Sequence, residues 1–342
     1  MKKFLSAVLL LSMWSTTLHA QADFYKGKTI RVVIGYSAGG TNDLWVRAIA
    51  RFWGKYIPGN PDVIVQNMPG AGTMIAANYI YGVDKSDGLT LALIAPGLFF
   101  NQIGGQKEAK FDWAKFAWIG SPEETSEMLS MRSDSPFKTL DDIRQATVPP
   151  KCGTTGPGTP GHYFPRLMEE VLGLKFNLVT GYPGASDIDL AIERGEVQCR
   201  AGTTSAFFGR EPGRTWAKTG FVRILVIGGS RRDSRASDVP TIWELMERHK
   251  TSDSGKRLTT VLLSPGSFGR PIVGGPGIPA DRVKILRAGF LKAMKDPALL
   301  AEAEKRGWEP DPVSGDKLEA LAREVVTQPP EVIGRMNAVL EK

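Results

Sequence analysis

The chain has 342 residues, of which 42% are apolar and 23% charged, an ordinary globular composition that excludes collagen-like, low-complexity and wholly disordered chains. At roughly 100–200 residues per domain, the length suits two lobes, each able to bury its own core. The formal net charge is +7, but basic residues are scattered beside acids, as in Arg231-Arg232-Asp233, with no basic block or aromatic-basic stripe, so nucleic acid is not an expected partner.

In chain order, Lys2 and Lys3 form a basic start and Phe4 to Trp14 an apolar run of 11 residues, too short for a lasting membrane span. Ala20-Gln21-Ala22 has the A-x-A form of a cleavage site, so residues 1–22 are expected to be an export signal. The mature chain would start near Asp23 with a charge of +5. No later stretch reaches the roughly 18 uninterrupted apolar residues of a span.

Thr29 to Ile34 reads as a buried strand, followed by the turn Gly35 to Gly40 and a helix over 42–57. Asp62 to Gln66 is a strand, Pro69 to Gly72 a turn, Met74 to Tyr81 a helix and Leu89 to Ala95 a strand. This βαβαβ order predicts a parallel sheet with crossover helices. Phe116 to Gly120 and Met128 to Arg132 read as short strands linking two lobes.

The pattern then restarts. A helix begins at Thr139, strands are expected at 151–154, 176–180, 197–201 and 222–227, and helices at 162–172 and 186–194. Four helices close the chain, at 279–294, 297–305, 315–326 and 329–340. The division expected is 23–122 for the first lobe, 123–231 for the second and 232–342 for the rest of the first. Ligands of such sheets bind beyond the carboxyl ends of the strands, so a cleft between lobes is the default site.

Cys152 and Cys199 are the only cysteines, each in an expected strand of the second lobe. An exported chain permits a disulfide, and two buried thiols are the other reading.

Gly35-Tyr36-Ser37-Ala38-Gly39 matches G-x-S-x-G between a strand and a helix, the setting of a nucleophile elbow. A serine hydrolase also needs a His to activate Ser37 and an acid to orient it. Only His162 and His249 remain after export, and neither has an evident acid partner. Gly156-Pro157-Gly158-Thr159-Pro160-Gly161 matches G-x-G-x-x-G, but Pro157 and Pro160 lack the N–H that a pyrophosphate would need, so no cofactor is expected. Two His and two scattered Cys form no metal pattern.

What remains are Gly-rich helix starts at Gly39-Gly40-Thr41-Asn42, Gly70-Ala71-Gly72-Thr73, Thr154-Thr155-Gly156 and Pro183-Gly184-Ala185-Ser186. Free N–H groups and the helix dipole suit such ends to a small anion. Ordinary turns capped by their own hydroxyls are the other reading.

These segments resemble the Bug-type periplasmic receptors of tripartite tricarboxylate transporters. The likeness lies in Ile30 to Asp43, Gln66 to Gly72, Asp87-Gly88, Gly181 to Gly184, Glu193 to Val197, Asp238 to Thr241 and Pro276 to Ala280. These motifs occur in order over nearly the whole mature chain. The resemblance implies an α/β, bilobed periplasmic binding fold of type II-like form, with two parallel-sheet lobes joined by hinge strands. It implies capture of a small organic carboxylate by a monomer in the periplasm, docking onto membrane permease subunits, and no enzymatic step.

Carried over residue by residue, the binding set is Ala38, Gly39, Gly40, Thr41 and Asp43 in the first lobe, with Thr154, Thr155, Tyr182 and Ala185 opposite. Pro96 and Gly97 would line the cleft. Asp43 is expected to fix the turn or a water more than to meet an anion. Arg200 stands near where the family often has an acid, and could meet a second carboxylate or sit in an ion pair.

Overall fold

The computed structural model describes residues 24–340, and the expected export signal lies outside the described residues. Two sheets form the frame. The first has the order β11 (Val313–Ser314), β4 (Ala117–Ser121), β10 (Ile272–Gly274), β3 (Thr90–Leu93), β1 (Thr29–Ile34) and β2 (Asp62–Asn67). The second has the order β7 (Asn177–Val179), β6 (Lys151–Gly153), β8 (Cys199–Thr203), β5 (Glu127–Arg132) and β9 (Val222–Ile227).

Helices α1 (Thr41–Trp53), α2 (Met74–Gly82) and α3 (Phe99–Ile103) follow the first three strands. Helix α4 (Leu140–Gln145) precedes β6, α5 (Pro160–Leu172) follows it, and α6 (Ala185–Glu193) follows β7. Beyond β8 come α7 (Thr204–Phe208) and α8 (Gly213–Thr219). Between β9 and β10 lie α9 (Ile242–Arg248), α10 (Asp253–Leu263) and α11 (Pro265–Phe268). Helices α12 (Ala280–Ala293) and α13 (Pro297–Arg306) precede β11, and α14 (Gly315–Val325) and α15 (Pro330–Leu340) follow it.

β1 is central because Ile30, Val32, Val33 and Ile34 are all fully buried, a β-branched run with a covered surface on both faces. It pairs in parallel with β2, from Thr29 opposite Asp62 to Ile34 opposite Asn67, and with β3 on its other side. In the second sheet β6 pairs in parallel with β7 and β8. The carboxyl ends of these strands carry the turns that meet between the two lobes.

The sheets are mixed, where the sequence predicts parallel ones. β10 runs antiparallel to β3 and β4, and β5 antiparallel to β8 and β9. The cause is topological. β4 ends at the cleft and the chain crosses at 122–126, so β5 starts at the cleft and must run away from it. β10 does the same on the return through 264–271. The strands expected as bare linkers are thus inner members of the two sheets.

The two crossings are hydrogen-bonded to each other and to the end of β4. The Thr125 N–H donates to Gly266 O at 2.9 Å, and the Arg270 N–H to Ser121 Oγ at 2.9 Å. Gly269 has φ +62° and a Cβ there would stand 1.8 Å from Glu123 O, so glycine is required on both counts. The apolar core is continuous through this region, with Phe100 of α3 edge-on to Tyr163 of α5 at 5.6 Å.

Helices α9, α10 and α15 pack against α5, on the second sheet, whereas the sequence reading groups them with the rest of 232–342. Leu258 and Leu262 of α10 are buried in that contact, and Thr251 Oγ1 donates to Val171 O at 3.1 Å. Cys152 and Cys199 face each other on paired β6 and β8, with Cα atoms 4.5 Å apart, and are bonded to each other. Both are fully buried.

Candidate functional site

The site is a half-open pocket of about 600 Å³, solvent at its mouth included, between the lobes. Ser37 Oγ donates to Asp187 Oδ2 at 2.7 Å, and the Ser37 N–H donates to Pro183 O at 3.2 Å. On the far side the Gly97 N–H donates to Gly158 O at 3.1 Å. These contacts tie first-lobe turns to second-lobe turns and roof the space between.

The glycines of Gly156 to Gly161 have a different use from phosphate binding. A Cβ on Gly97 would meet Gly158 O at 2.6 Å, and one on Gly72 would meet Pro157 O at 2.5 Å. Gly156 and Gly158 have φ of +134° and +79°. The motif is where the two lobes touch by bare backbone, and only residues without side chains allow that approach.

Three helices start at the cavity. Gly40, Thr41 and Asn42 begin α1, Thr159, Pro160 and Gly161 begin α5, and Ala185 begins α6; all seven line the space. None of the three helices has a side-chain cap hydrogen bond at its N-cap residue. The first-turn N–H groups of α1 and α6 keep donor capacity, whereas α5 offers only that of Gly161, because Pro160 has none and His162 donates to Thr159 O at 2.9 Å. The three dipoles add positive potential in one place.

Asp43 does not line this cavity. Its side chain is 3% exposed and accepts from the Gly39 N–H (3.0 Å), from Arg47 Nε (2.9 Å) and from Asn67 Nδ2 (2.9 Å). Asn67 Nδ2 also donates to Tyr36 O at 2.9 Å. Burial alone would raise the Asp43 carboxyl, but the bonds from Arg47, Gly39 and Asn67 outweigh it and hold the pKa below its ordinary value. Asp43 is an ionised brace that sets the turn before α1.

The expected residues thus divide by position. Gly40, Thr41, Thr154, Thr155 and Ala185 line the cavity. Ala38 and Gly39 lie on the exposed side of their turn, and Gly39 spends its N–H on Asp43. Gly97 serves the lobe contact, beside the buried Pro96. Tyr182 packs with Ile188 and Val197 beside Gly153 rather than on the cavity.

Sequence reasoning missed Tyr36, Asn42, Thr203 and Arg270. Arg270 is 5% exposed and spans both lobes. Its Nε donates to Glu123 Oε1 and its Nη1 to Asn42 Oδ1, both at 2.6 Å, and its Nη2 donates to Ser205 Oγ at 3.0 Å. It sits on the hinge crossing, in a stretch with no local periodicity to signal it. Arg200 lines the cavity from β8, and its guanidinium and that of Arg210 both donate to Asp189. Burial pulls the Arg210 pKa below its ordinary value, with Asp189 opposing. Arg200, Arg210 and Arg270 with their partners Asp189 and Glu123 sum to one positive charge, set against the Asp187 carboxylate at the roof.

Ser37 is not arranged for hydrolysis. Its hydroxyl donates to Asp187. His249 contacts Arg144, and the Nδ1 of buried His162 has no partner. Burial, with Arg166 adding, lowers the His162 pKa to about 4 and keeps the ring neutral at physiological pH. No group of three or more His, Cys, Asp or Glu among the described residues could hold a metal.

Two α/β lobes that meet over a pocket ringed by uncapped helix starts define a solute-binding receptor. Comparison with known proteins agrees. The profile of the "Tripartite tricarboxylate transporter family receptor" matches residues 55–338, and the chain belongs to that family. Its members are substrate-binding receptors and not enzymes.

A relative from Cupriavidus necator, "UPF0065 protein in gbd 5'region", is 29% identical over 97% of this chain and 94% of its own. Among solved structures, the periplasmic binding protein BugD superposes with TM-score 0.72 at 17% identity, covering 92% of this chain and 98% of that one. MatC from Rhodopseudomonas palustris, solved with bound malate, gives 0.70 at 21% identity, covering 92% and 99%. R. palustris Rpa4515, solved with adipate, gives 0.68 at 19%, covering 91% and 97%. At these identities the structures speak to the fold.

Proposed function

We propose that this chain is an exported receptor that captures a small organic carboxylate between its lobes and passes it to the membrane subunits of a tripartite transporter. The observation behind this reading is the convergence of three uncapped helix N-termini on one cleft pocket that Arg200 and Arg270 also line. A carboxylate would accept from N–H groups of α1 and from the hydroxyls of Thr41 and Thr155. The malate and adipate bound by two structural relatives are acids of this class.

In this reading each lobe takes one sheet, the chain crosses between them after 122, and α9, α10 and α15, which pack against α5, go with the second lobe. Closure is a hinge motion about the crossings at 122–126 and 264–271. The cavity is completed within one chain, so a monomer suffices. Residues 1–22 deliver it to the periplasm.

The test is a thermal-shift screen of residues 23–342 against mono-, di- and tricarboxylates, each beside its neutral amide. A ligand that binds only the folded chain raises the melting temperature in proportion to the logarithm of its concentration. The reading expects a rise with at least one acid and none with its amide. Equal shifts for acid and amide would refute the electrostatic basis.

A further inference from the structure

Arg200 and Arg210 share a single carboxylate. Arg200 Nη1 donates to Asp189 Oδ1 and Arg210 Nη2 to Asp189 Oδ2. The three side chains are 13%, 7% and 6% exposed. Their other bonds go to backbone: Arg200 Nη1 to Ala185 O at 3.2 Å and Arg210 Nη1 to Glu211 O at 2.5 Å. Among the described residues Arg200 Nε and Nη2 reach no acceptor, and Arg210 Nε is buried without one.

These free donors border open space. Arg200 lines the main pocket and also a narrow second one behind it, whose walls include Arg210, Asp189 and Trp216. Across the cleft Arg270 is balanced by Glu123, so the excess positive charge belongs to the Arg200–Arg210 pair. A buried cation with unmade bonds is costly unless an anion completes it. The free edge of a guanidinium, with Nε and Nη2 side by side, fits a carboxylate through two parallel bonds.

The geometry points to Arg200, backed by Arg210, as the acceptor of a second acid group on the ligand, which makes this chain selective for short dicarboxylates over monocarboxylates. The inference rests on the carboxylate reading above: one acid group lies at the helix starts of the main cavity, and the other reaches Arg200 at the mouth of the second. Asp189 sets the Arg200 guanidinium in place and limits the excess to one charge, enough for one carboxylate.

The test compares succinate with succinamate and adipate with adipamate by calorimetric titration. Each half-amide keeps one acid and the same length. The wild-type chain should bind at least one diacid tenfold or more tighter than its half-amide. Arg200→Gln leaves Asp189 paired with Arg210, so the cluster becomes neutral with no carboxylate stranded, and its circular dichroism and melting temperature should match the wild type. In this variant the diacid preference should fall to threefold or less, with the half-amide affinity little changed. Arg200→Lys, which keeps the charge and loses the fork, should fall between.

A wild-type chain that binds both members of each pair equally would overturn the inference and leave the carboxylate reading intact. An equal loss for diacid and half-amide in Arg200→Gln would also overturn it, by placing Arg200 on the first acid group. Binding of none of the four acids by a chain that the thermal-shift screen shows to bind another carboxylate would overturn the inference and leave the carboxylate reading intact.

Discussion

Asp43 and Ser37 show how the two most suggestive polar residues of the first turn act without touching the cavity floor. Asp43 accepts from Gly39, Arg47 and Asn67, so Asp43→Ala strands three donors at the entrance to α1. Such a loss costs on the order of 1–3 kcal/mol. Urea unfolding should show that destabilisation, and titration with the best acid should show weaker binding because α1 is no longer held in place. Unchanged affinity would take Asp43 out of the site's support. Ser37 Oγ donates to Asp187 across the two lobes, so hinge opening would break the bond. Ser37→Ala should therefore weaken binding by about fivefold, near 1 kcal/mol for one such bond, while the ligand-free melting temperature stays put. An active-site serine probe should label neither protein; labelling of the wild type alone would bring back hydrolysis.

The elements divide by how local their signals are. The strands and helices of both βαβαβ units were legible because their apolar spacing is local, as in Thr29 to Ile34 or the helix after Asn42. β10 and β11, of three and two residues, were not, because so short a run has no period and exists only by pairing, β11 with β4 and β10 with β3 and β4. The antiparallel direction of β5 is likewise a consequence of where the chain crosses, which no window of sequence contains. In the site, Gly40, Thr41, Thr154, Thr155 and Ala185 were reachable through the Gly-rich starts and the family likeness. Arg270 was not, because its partners Glu123, Asn42 and Ser205 are distant in sequence. The Gly-Pro turn at 156–161 was read as cofactor-like in form and empty in function; the structure gives it a mechanical task. Gly97→Ala puts a methyl about where Gly158 O lies in the closed molecule, at 2.6 Å, and its backbone does not need positive φ. That change should leave unliganded stability within about 1 kcal/mol and weaken acid binding tenfold or more. Loss of stability with unchanged binding would mean that the contact belongs to the fold rather than to closure.

Across the whole molecule, the hinge is the place where packing and charge meet. Glu127 begins β5 beside the crossing, is 2% exposed and accepts from Tyr163 Oη at 2.7 Å. Burial raises its pKa to about 7, against the bond from Tyr163. A carboxyl raised on folding favours the protonated form, so its contribution to stability is complete below its unfolded pKa of about 4.3 and is lost as pH rises through about 7. Glu127→Gln keeps an acceptor for Tyr163 and removes the titration. Urea unfolding should find it more stable than the wild type at pH 8, with the advantage vanishing near pH 4. An equal difference at both values would rule out Glu127 as the source. The same hinge brings Arg270 to both lobes, so closure, charge and the cavity form one mechanical unit.

The account turns on an acid entering the cleft pocket. The most direct measurement is calorimetric titration of residues 23–342 with the acid that gives the largest thermal shift, repeated with its methyl ester. The account predicts saturable binding at one site for the acid and loss of at least tenfold for the ester, because helix N–H groups and guanidiniums recognise the charge. Equal binding of acid and ester, or no heat from any carboxylate, would contradict it.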